Sequence, residues 1–271
     1  QAEAQPVLRH ALAIERRQPV RDHGALAETL DTLSFSYASE AKPRLAEPLA
    51  EEALKHARIA WSEQDPRSLR LLNEIGAIKL EARNYVAAEE IFRRLIQLDD
   101  QQQPGGIDSI APQVNLCICL FNEGKLAEME KAVDRLQSDT HRLVGEHGLP
   151  FALSLVARGC LDFARGEYEA AIPLFRQSLG TLTANYPPGQ TTVVQSRALL
   201  GLCLTRTGHA VEVEPLLRKA LADGTKVQPL CFAHTYGNMK PAPVEFTLAQ
   251  TRTAEAATRL TAWCMDLQVE P

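Results

Sequence analysis

The sequence has few aromatic residues, no excess of basic residues and no long apolar run. Aromatic residues make up 6% of the 271 residues, and the formal net charge is −5. A nucleic-acid-binding domain is expected to carry a basic stripe, so this charge argues against a nucleic-acid partner. An apolar run of about 18 residues, the minimum for a transmembrane helix, is also missing. The sequence therefore predicts no membrane span, and it shows no recognisable signal peptide.

The cysteines form no Cys-x-x-Cys pair, so they give no support for a structural zinc site. The first four of the six lie in apolar segments that we predict to be helical, and Cys117 and Cys119 are too close in one helix to bridge each other. We interpret them as small buried residues of a reducing compartment, which predicts a cytoplasmic protein. The six are Cys117, Cys119, Cys160, Cys203, Cys231 and Cys264.

The sequence also lacks an evident catalytic or cofactor-binding set. Its seven histidines are scattered, and no glycine-rich loop carries the lysine and hydroxyl partners of a phosphate site. Only Cys231 and His234 could be argued as a nucleophile and base. We therefore predict no cofactor, no metal site and no enzymatic activity, and keep an enzyme that uses this pair as a minor hypothesis.

What the sequence does contain is a repeated nine-residue stretch. It is clearest at Ala46–Leu54, and similar copies begin at residues 4, 88, 128, 171 and 213. A period near 42 residues, sustained along the chain, is typical of a stacked repeat protein. Each copy is preceded by a second amphipathic segment, so the repeating unit is predicted to be a pair of helices, A and B.

Loop-forming residues separate these segments, as expected for helices that end there. The predicted A helices are 24–39, 67–82, 109–122, 150–165 and 191–207. The predicted B helices are 2–17, 43–62, 85–99, 125–144, 167–184 and 210–222. Prolines 6, 48, 173 and 215 fall near the start of helix B, where a missing N–H is tolerated. We therefore expect helix B to become regular only at about the proline.

A second regularity connects the two helices of a pair. Gly76, Gly159 and Gly201 each lie twelve residues before the start of a motif copy. Glycine in a helix costs about 1 kcal/mol, so we expect this cost to be offset by close packing of helix A on helix B.

These residues resemble the tetratricopeptide repeat. The resemblance is carried by Gly76 with Ala88, Phe92 and Leu95, and it recurs from Gly159 to Ser178. The 42-residue period is similar to that of the kinesin-light-chain type of this repeat. The resemblance covers about residues 2–222 and implies an all-α fold, a right-handed α-solenoid of antiparallel helix pairs.

The resemblance also implies a concave groove lined by the A helices. One side of these helices is expected to hold a peptide or protein segment, although some of these positions could instead contact neighbouring helices. The expected groove residues are Asp31, Phe35, Arg70, Asn73, Gln113, Cys117, Val156, Phe163 and Gln195. We therefore predict a non-catalytic protein-interaction module, a scaffold or adaptor; the alternative is a ligand- or peptide-sensing regulatory domain of a larger signalling protein.

The two ends depart from the repeat. Residues 2–17 form a helix B without its helix A, which predicts either a chain cut from a longer protein or an N-terminal cap. The repeat array is expected to cover residues 1–222, followed by an irregular connector at 223–247. Residues 248–271, which include Trp263, are predicted to form a C-terminal capping helix or the start of a further repeat.

Overall fold

The computed structural model of the chain describes residues 4–18, 21–40, 42–187 and 191–209, together with positions 212, 215, 216 and 219. These residues are almost entirely helical and include no β-strand. The connector, the C-terminal segment with Trp263, and the Cys231–His234 pair lie outside the described residues. Of the predicted helix at 210–222, four positions are described, and all four are helical.

Ten α-helices are found in the described residues. Their bounds are α1 Ala4–Glu15, α2 His23–Ser39, α3 Pro43–Ala60, α4 Pro66–Glu81, α5 Tyr85–Gln102, α6 Ile110–Asn122, α7 Leu126–Val144, α8 Gly148–Ala164, α9 Tyr168–Asn185 and α10 Thr191–Arg206. A single 3-10 turn, Ile107–Ser109, precedes α6. The even-numbered helices are the predicted A helices and the odd-numbered ones the B helices, so the all-α pattern of helix pairs is confirmed.

The described chain divides into two compact units, one ending at Cys119 and the other beginning at Leu120. In the first unit, each helix from α1 to α4 packs on the next one. In the second unit, α7 to α10 follow the same rule. None of the helices in the described ranges is both long and apolar enough to cross a membrane.

The turns from helix A to helix B share one backbone design. Gly124, Gly166 and Gly208 have φ values of 70°, 80° and 80°, and Arg83 takes the same left-handed conformation at 60°. The residue after each of them donates its N–H to a carbonyl five residues earlier, as Lys125 does to Leu120 at 2.9 Å. This bond closes the last helical turn. Glycine recurs at these three positions because it adopts a positive φ without steric cost.

The starts of α2 and α4 are fixed by side-chain caps. Asp22 Oδ1 accepts hydrogen bonds from the backbone N–H groups of Gly24 and Ala25, both at 3.0 Å. Asp65 Oδ1 accepts from the N–H of Arg67 at 2.9 Å, with Pro66 in the first helical position. These caps satisfy donors that no earlier turn can reach, so α2 and α4 begin where the sequence places them.

The expectation that helix B becomes regular only at its proline is wrong. Pro48 and Pro173 both lie inside their helices, which begin at Pro43 and Tyr168. Each proline removes a single helical hydrogen bond, and both rings are exposed, so water can reach the carbonyl left without a partner. The turn before Pro48 is held by the bond from Ala46 N–H to the Lys42 carbonyl.

The glycine register predicted from the sequence is confirmed at two pairs. A Cβ atom on Gly76 would lie 2.7 Å from Cε1 of Phe92, and one on Gly159 would lie 2.8 Å from Cε1 of Phe175. Both phenylalanines are fully buried. Each phenylalanine of helix B therefore occupies the space that a side chain on helix A would need.

Candidate interaction surface on the A helices

In the first unit, three charged side chains join α2 to α4. Arg70 Nη2 lies 2.6 Å from Asp31 Oδ2, and Arg70 Nη1 donates to Glu74 Oε1 at 2.8 Å. The side chain of Arg70 is 55% exposed, whereas those of Asp31 and Glu74 are 6% and 7% exposed. Two buried carboxyls thus fix the direction of a guanidinium that still faces solvent.

The two carboxyls do not carry equal charge. Burial, with a hydrogen bond to Asp31 and the charge of Asp31, raises the pKa of Glu74 to about 9, although Arg70 acts in the opposite direction. Burial therefore favours the neutral form of Glu74, which has a proton to donate to Asp31. Asp31 Oδ1 is buried and has no N–H donor in the described part of the chain, which leaves it available to that proton.

A second arginine lies one turn earlier on α4. The guanidinium of Arg67 stacks on the ring of Trp61, with its Cζ 4.1 Å from the ring centroid. It also pairs with Asp65 at 3.0 Å and lies 3.7 Å from Glu28 of α2. Arg67 is half exposed, so the start of α4 presents two arginines whose positions are set by neighbouring acids.

The predicted polar groove residues of this unit differ in how much surface they offer. Asn73 is half-buried, and its Oδ1 is buried without a hydrogen-bond partner among the described residues. Gln113 is buried, and its Nε2 donates to Ser109 Oγ at 3.0 Å. Phe35 is half-buried and Cys117 is buried. The accessible part of this surface is therefore formed by Arg70, Asn73 and Phe35.

In the second unit, the predicted groove residues are mostly apolar. Val156 is 4% exposed and belongs to the core cluster that surrounds Phe175. Phe163 is half-buried and packs edge-to-face on Tyr168, with ring centroids 5.3 Å apart. Gln195 lies in α10. Phe163 therefore offers the larger accessible area of the two apolar residues.

The cysteines and acidic groups do not suggest a metal centre. Within the described residues, no three His, Cys, Asp or Glu side chains are grouped so that they could hold a metal ion. Burial raises the pKa of Cys203 to about 12, so this thiol stays protonated and unreactive at neutral pH.

Sequence reasoning did not single out the contacts that shape this surface. The bond between Arg70 and Asp31 joins two helices that are one repeat apart, and Glu74 was not among the predicted residues. The i, i+4 spacing of Arg70 and Glu74 on one helix was the signal available. Asp31 was among the predicted residues, at the same position of its repeat as Asn73, but its bond to Arg70 was not predicted.

These helix pairs, turns and glycine contacts define an all-α repeat protein with the fold of the tetratricopeptide repeat. Similar solved structures support this at the level of fold. BtubC (BKLC) from P. vanneervenii is 19% identical, with a TM-score of 0.62 over 83% of this chain and 89% of that one. A candidate kinesin light chain from Podosopora anserina, with nearly identical TPR-like repeats, is 15% identical, with a TM-score of 0.57 over 77% and 99%.

A third similar structure is a Rap protein complexed with competence and sporulation factor. It is 13% identical, with a TM-score of 0.60, and the match covers 82% of this chain and 64% of the Rap chain. No protein-family description matches the sequence, and no curated protein is similar to it in sequence. The resemblance seen in the repeats is thus confirmed as one of fold.

Proposed function

We propose that this chain is a non-catalytic interaction module that binds an extended peptide or protein segment on the A helices of its first unit. The observation that carries the proposal is the exposed guanidinium of Arg70, with Asn73 three residues further along α4. Arg70 is a solvent-facing guanidinium held by two buried acids, and Asn73 Oδ1 has no partner among the described residues.

These two groups complement an extended backbone. The remaining N–H groups of Arg70 can donate to a ligand carbonyl or carboxylate, and the exposed part of the half-buried Asn73 lies next to them on α4. Phe35, four residues after Asp31 on α2, offers a half-buried apolar contact for a ligand side chain. Gln113 and Cys117 would form the wall of this site on α6, rather than its accessible surface.

In the second unit, we propose a separate contact surface on α8 and α10. Phe163 would supply its exposed apolar area, with Gln195 as the predicted polar residue and Val156 as buried support. A short peptide would need only the first surface. This part of the proposal depends on the repeat register, which places these residues at the same side of their A helices as the residues of the first unit.

The test uses a phage-displayed library of random peptides, selected against the intact chain. Selected peptides are labelled, and their affinity is measured by fluorescence polarisation for the wild type, Arg70→Lys and Asn73→Ala. Arg70→Lys keeps the charge beside Asp31 but loses the planar fork. Loss of a hydrogen bond to a charged group is worth about 1.5–3 kcal/mol, so we expect Arg70→Lys to weaken binding about tenfold or more.

Arg93→Lys is the matched control, because Arg93 is also a half-exposed arginine paired with an acid four residues away, at Glu89, but it lies on a B helix. Its affinity should equal that of the wild type. A library that yields no binder stronger than scrambled sequences would overturn the proposal. Binders that are insensitive to both Arg70→Lys and Asn73→Ala would show that the site lies elsewhere.

A ligand-sensing role is the second candidate. It is favoured by the likeness to the Rap protein, whose structure contains a bound factor. A sensor must change its structure or stability on binding. Hydrogen exchange with and without a selected peptide separates the two roles: protection confined to α2 and α4 indicates a scaffold, and protection that spreads to unbound helices indicates a sensor.

A further inference from the structure

Two histidines, 33 residues apart in sequence, meet between α2 and α3. His23 is the first residue of α2, and His56 lies in the last part of α3. Their Nδ1 atoms are 2.7 Å apart, and their ring centroids are 4.9 Å apart with the planes inclined by 35°. This is a direct hydrogen bond between two imidazoles across the first helix pair.

The number of protons decides whether this contact can exist. With both rings neutral, one Nδ1–H donates to the other Nδ1. With one ring charged, the imidazolium donates to the neutral ring, and the bond is kept. With both rings charged, two Nδ1–H groups face each other without an acceptor, and two positive charges repel each other.

The surrounding groups do not compensate for a second charge. Glu52 Oε1 lies 4.0 Å from His56 Nε2, but Glu52 is already paired at 2.5 Å with Arg16, the residue after α1. Arg16, and Arg21 from the segment before α2, add positive charge near His56. His23 lies at the N-terminus of α2, where a positive charge opposes the helix dipole, and the carboxylate of Asp22 there already accepts two backbone N–H bonds.

We infer that the His23–His56 pair is an acid-sensitive latch, which holds the start of α2 on α3 near neutral pH and releases it when both rings are protonated. The latch needs no ligand and is independent of the proposed peptide site. Its effect is local. His23 is the first residue of α2 and lies near Trp61, whereas Arg70 and Asn73 lie on α4.

The direction of the pH dependence follows from the electrostatics. Burial, followed by the charge of His23, lowers the pKa of His56 below its ordinary value of 6.5. A histidine with a lowered pKa in the folded state binds fewer protons there than in the unfolded chain. Its contribution to the free energy of unfolding is therefore complete above about pH 6.5 and is lost as the pH falls below that value towards the folded pKa.

Trp61 provides a local probe of the latch. A Cβ atom on Gly24, the residue after His23, would lie 3.6 Å from Trp61 Nε1. The chain has one other tryptophan, Trp263, so Trp263→Phe leaves Trp61 as the sole source of tryptophan emission. Release of α2 should change the solvent contact, and hence the emission wavelength, of Trp61.

The experiment records Trp61 emission of the intact chain in the Trp263→Phe background between about pH 8 and pH 5, with EDTA present to exclude metal effects. We expect a transition below pH 6.5 in the parent protein, and its loss in His56→Asn, because the asparagine amide can hydrogen bond but does not titrate. His10→Asn is the matched control, since His10 is exposed on α1, and it should keep the transition.

Two results would overturn the inference: no transition in the parent protein, or a transition that survives in His56→Asn. If His56→Asn is unfolded at pH 8 by circular dichroism, the histidine Cε1–H resonances of the parent protein replace it as the test. His56 should then titrate below its ordinary pKa of 6.5. Titration of His56 at or above its ordinary pKa would also refute the latch.

Discussion

The helix pairs α2–α3 and α4–α5 have the same repeat length, but different kinds of residue fill the space between their two helices. In α4–α5, Gly76 leaves a space that the ring of Phe92 occupies. In α2–α3, the residues 42 positions earlier are Ser34 and Ala50, both buried. Ser34 Oγ donates to the Ala46 carbonyl at 2.9 Å, and the buried residues of α3 are all alanines.

The comparison shows that equivalent positions of the repeat can be filled by different sets of side chains. One helix pair is held together by a large ring that packs on a glycine. Another is held by two small residues and a hydrogen bond. The second unit repeats the first solution at Gly159 and Phe175. These two solutions should respond differently to substitution, and this difference can be measured by urea denaturation.

The largest effect is expected for Phe92→Ala. Phe92 is fully buried, and removing a core phenylalanine destabilises a protein by about 3–5 kcal/mol, because a cavity is left. Phe175→Ala should cost a similar amount in the second unit. A loss below about 1 kcal/mol in the free energy of unfolding, well short of that range, would mean that the helices close the gap and that the ring does not set their distance.

A smaller loss is expected for Gly76→Ala. Its new Cβ would lie 2.7 Å from Phe92, and overpacking of this kind typically costs about 1–3 kcal/mol. The control is Gly180→Ala, because Gly180 is also helical but a Cβ atom there would meet no neighbouring group of the described residues within 4 Å. That substitution should stabilise the chain by about 0.5–1 kcal/mol. Equal effects at the two glycines would contradict the packing role of Gly76.

The smallest effect is expected for Ser34→Ala. It removes the hydrogen bond to the Ala46 carbonyl, and a neutral hydrogen bond contributes about 0.5–1.5 kcal/mol. The side chain shrinks by one atom, so little packing is lost. Ser178→Ala offers a parallel case, since Ser178 Oγ donates to the Ala152 carbonyl at 2.9 Å. No measurable change in Ser34→Ala would show that the α2–α3 pair is held by its small apolar residues alone.

The helices were predictable because their signals are local and periodic. The predicted helix 67–82 is observed as Pro66–Glu81, and the predicted 85–99 as Tyr85–Gln102. Capping residues, glycines with positive φ and the 42-residue period all act over a few residues or one repeat. The glycine at a fixed spacing before the motif also predicted the close packing of two helix pairs.

The details of the surface were less predictable, because they depend on how neighbouring A helices face each other. Cys117 and Val156 were expected to line a groove, yet both are buried. On an A helix, the side that faces a groove and the side that packs on the next helix are adjacent, so a sequence cannot separate them. The His23–His56 bond was missed for a related reason, since the two residues occupy different positions of the repeat.

The fit of Phe92 against Gly76 has an evolutionary consequence. Since one atom added at position 76 meets the ring, these two positions should not vary independently among relatives of this chain. A sequence with serine or alanine at position 76 should carry a small residue at position 92, as Ser34 and Ala50 already do within this protein. Correlated variation at a separation of sixteen residues would then mark helix pairs of this kind even where the repeat motif itself has faded.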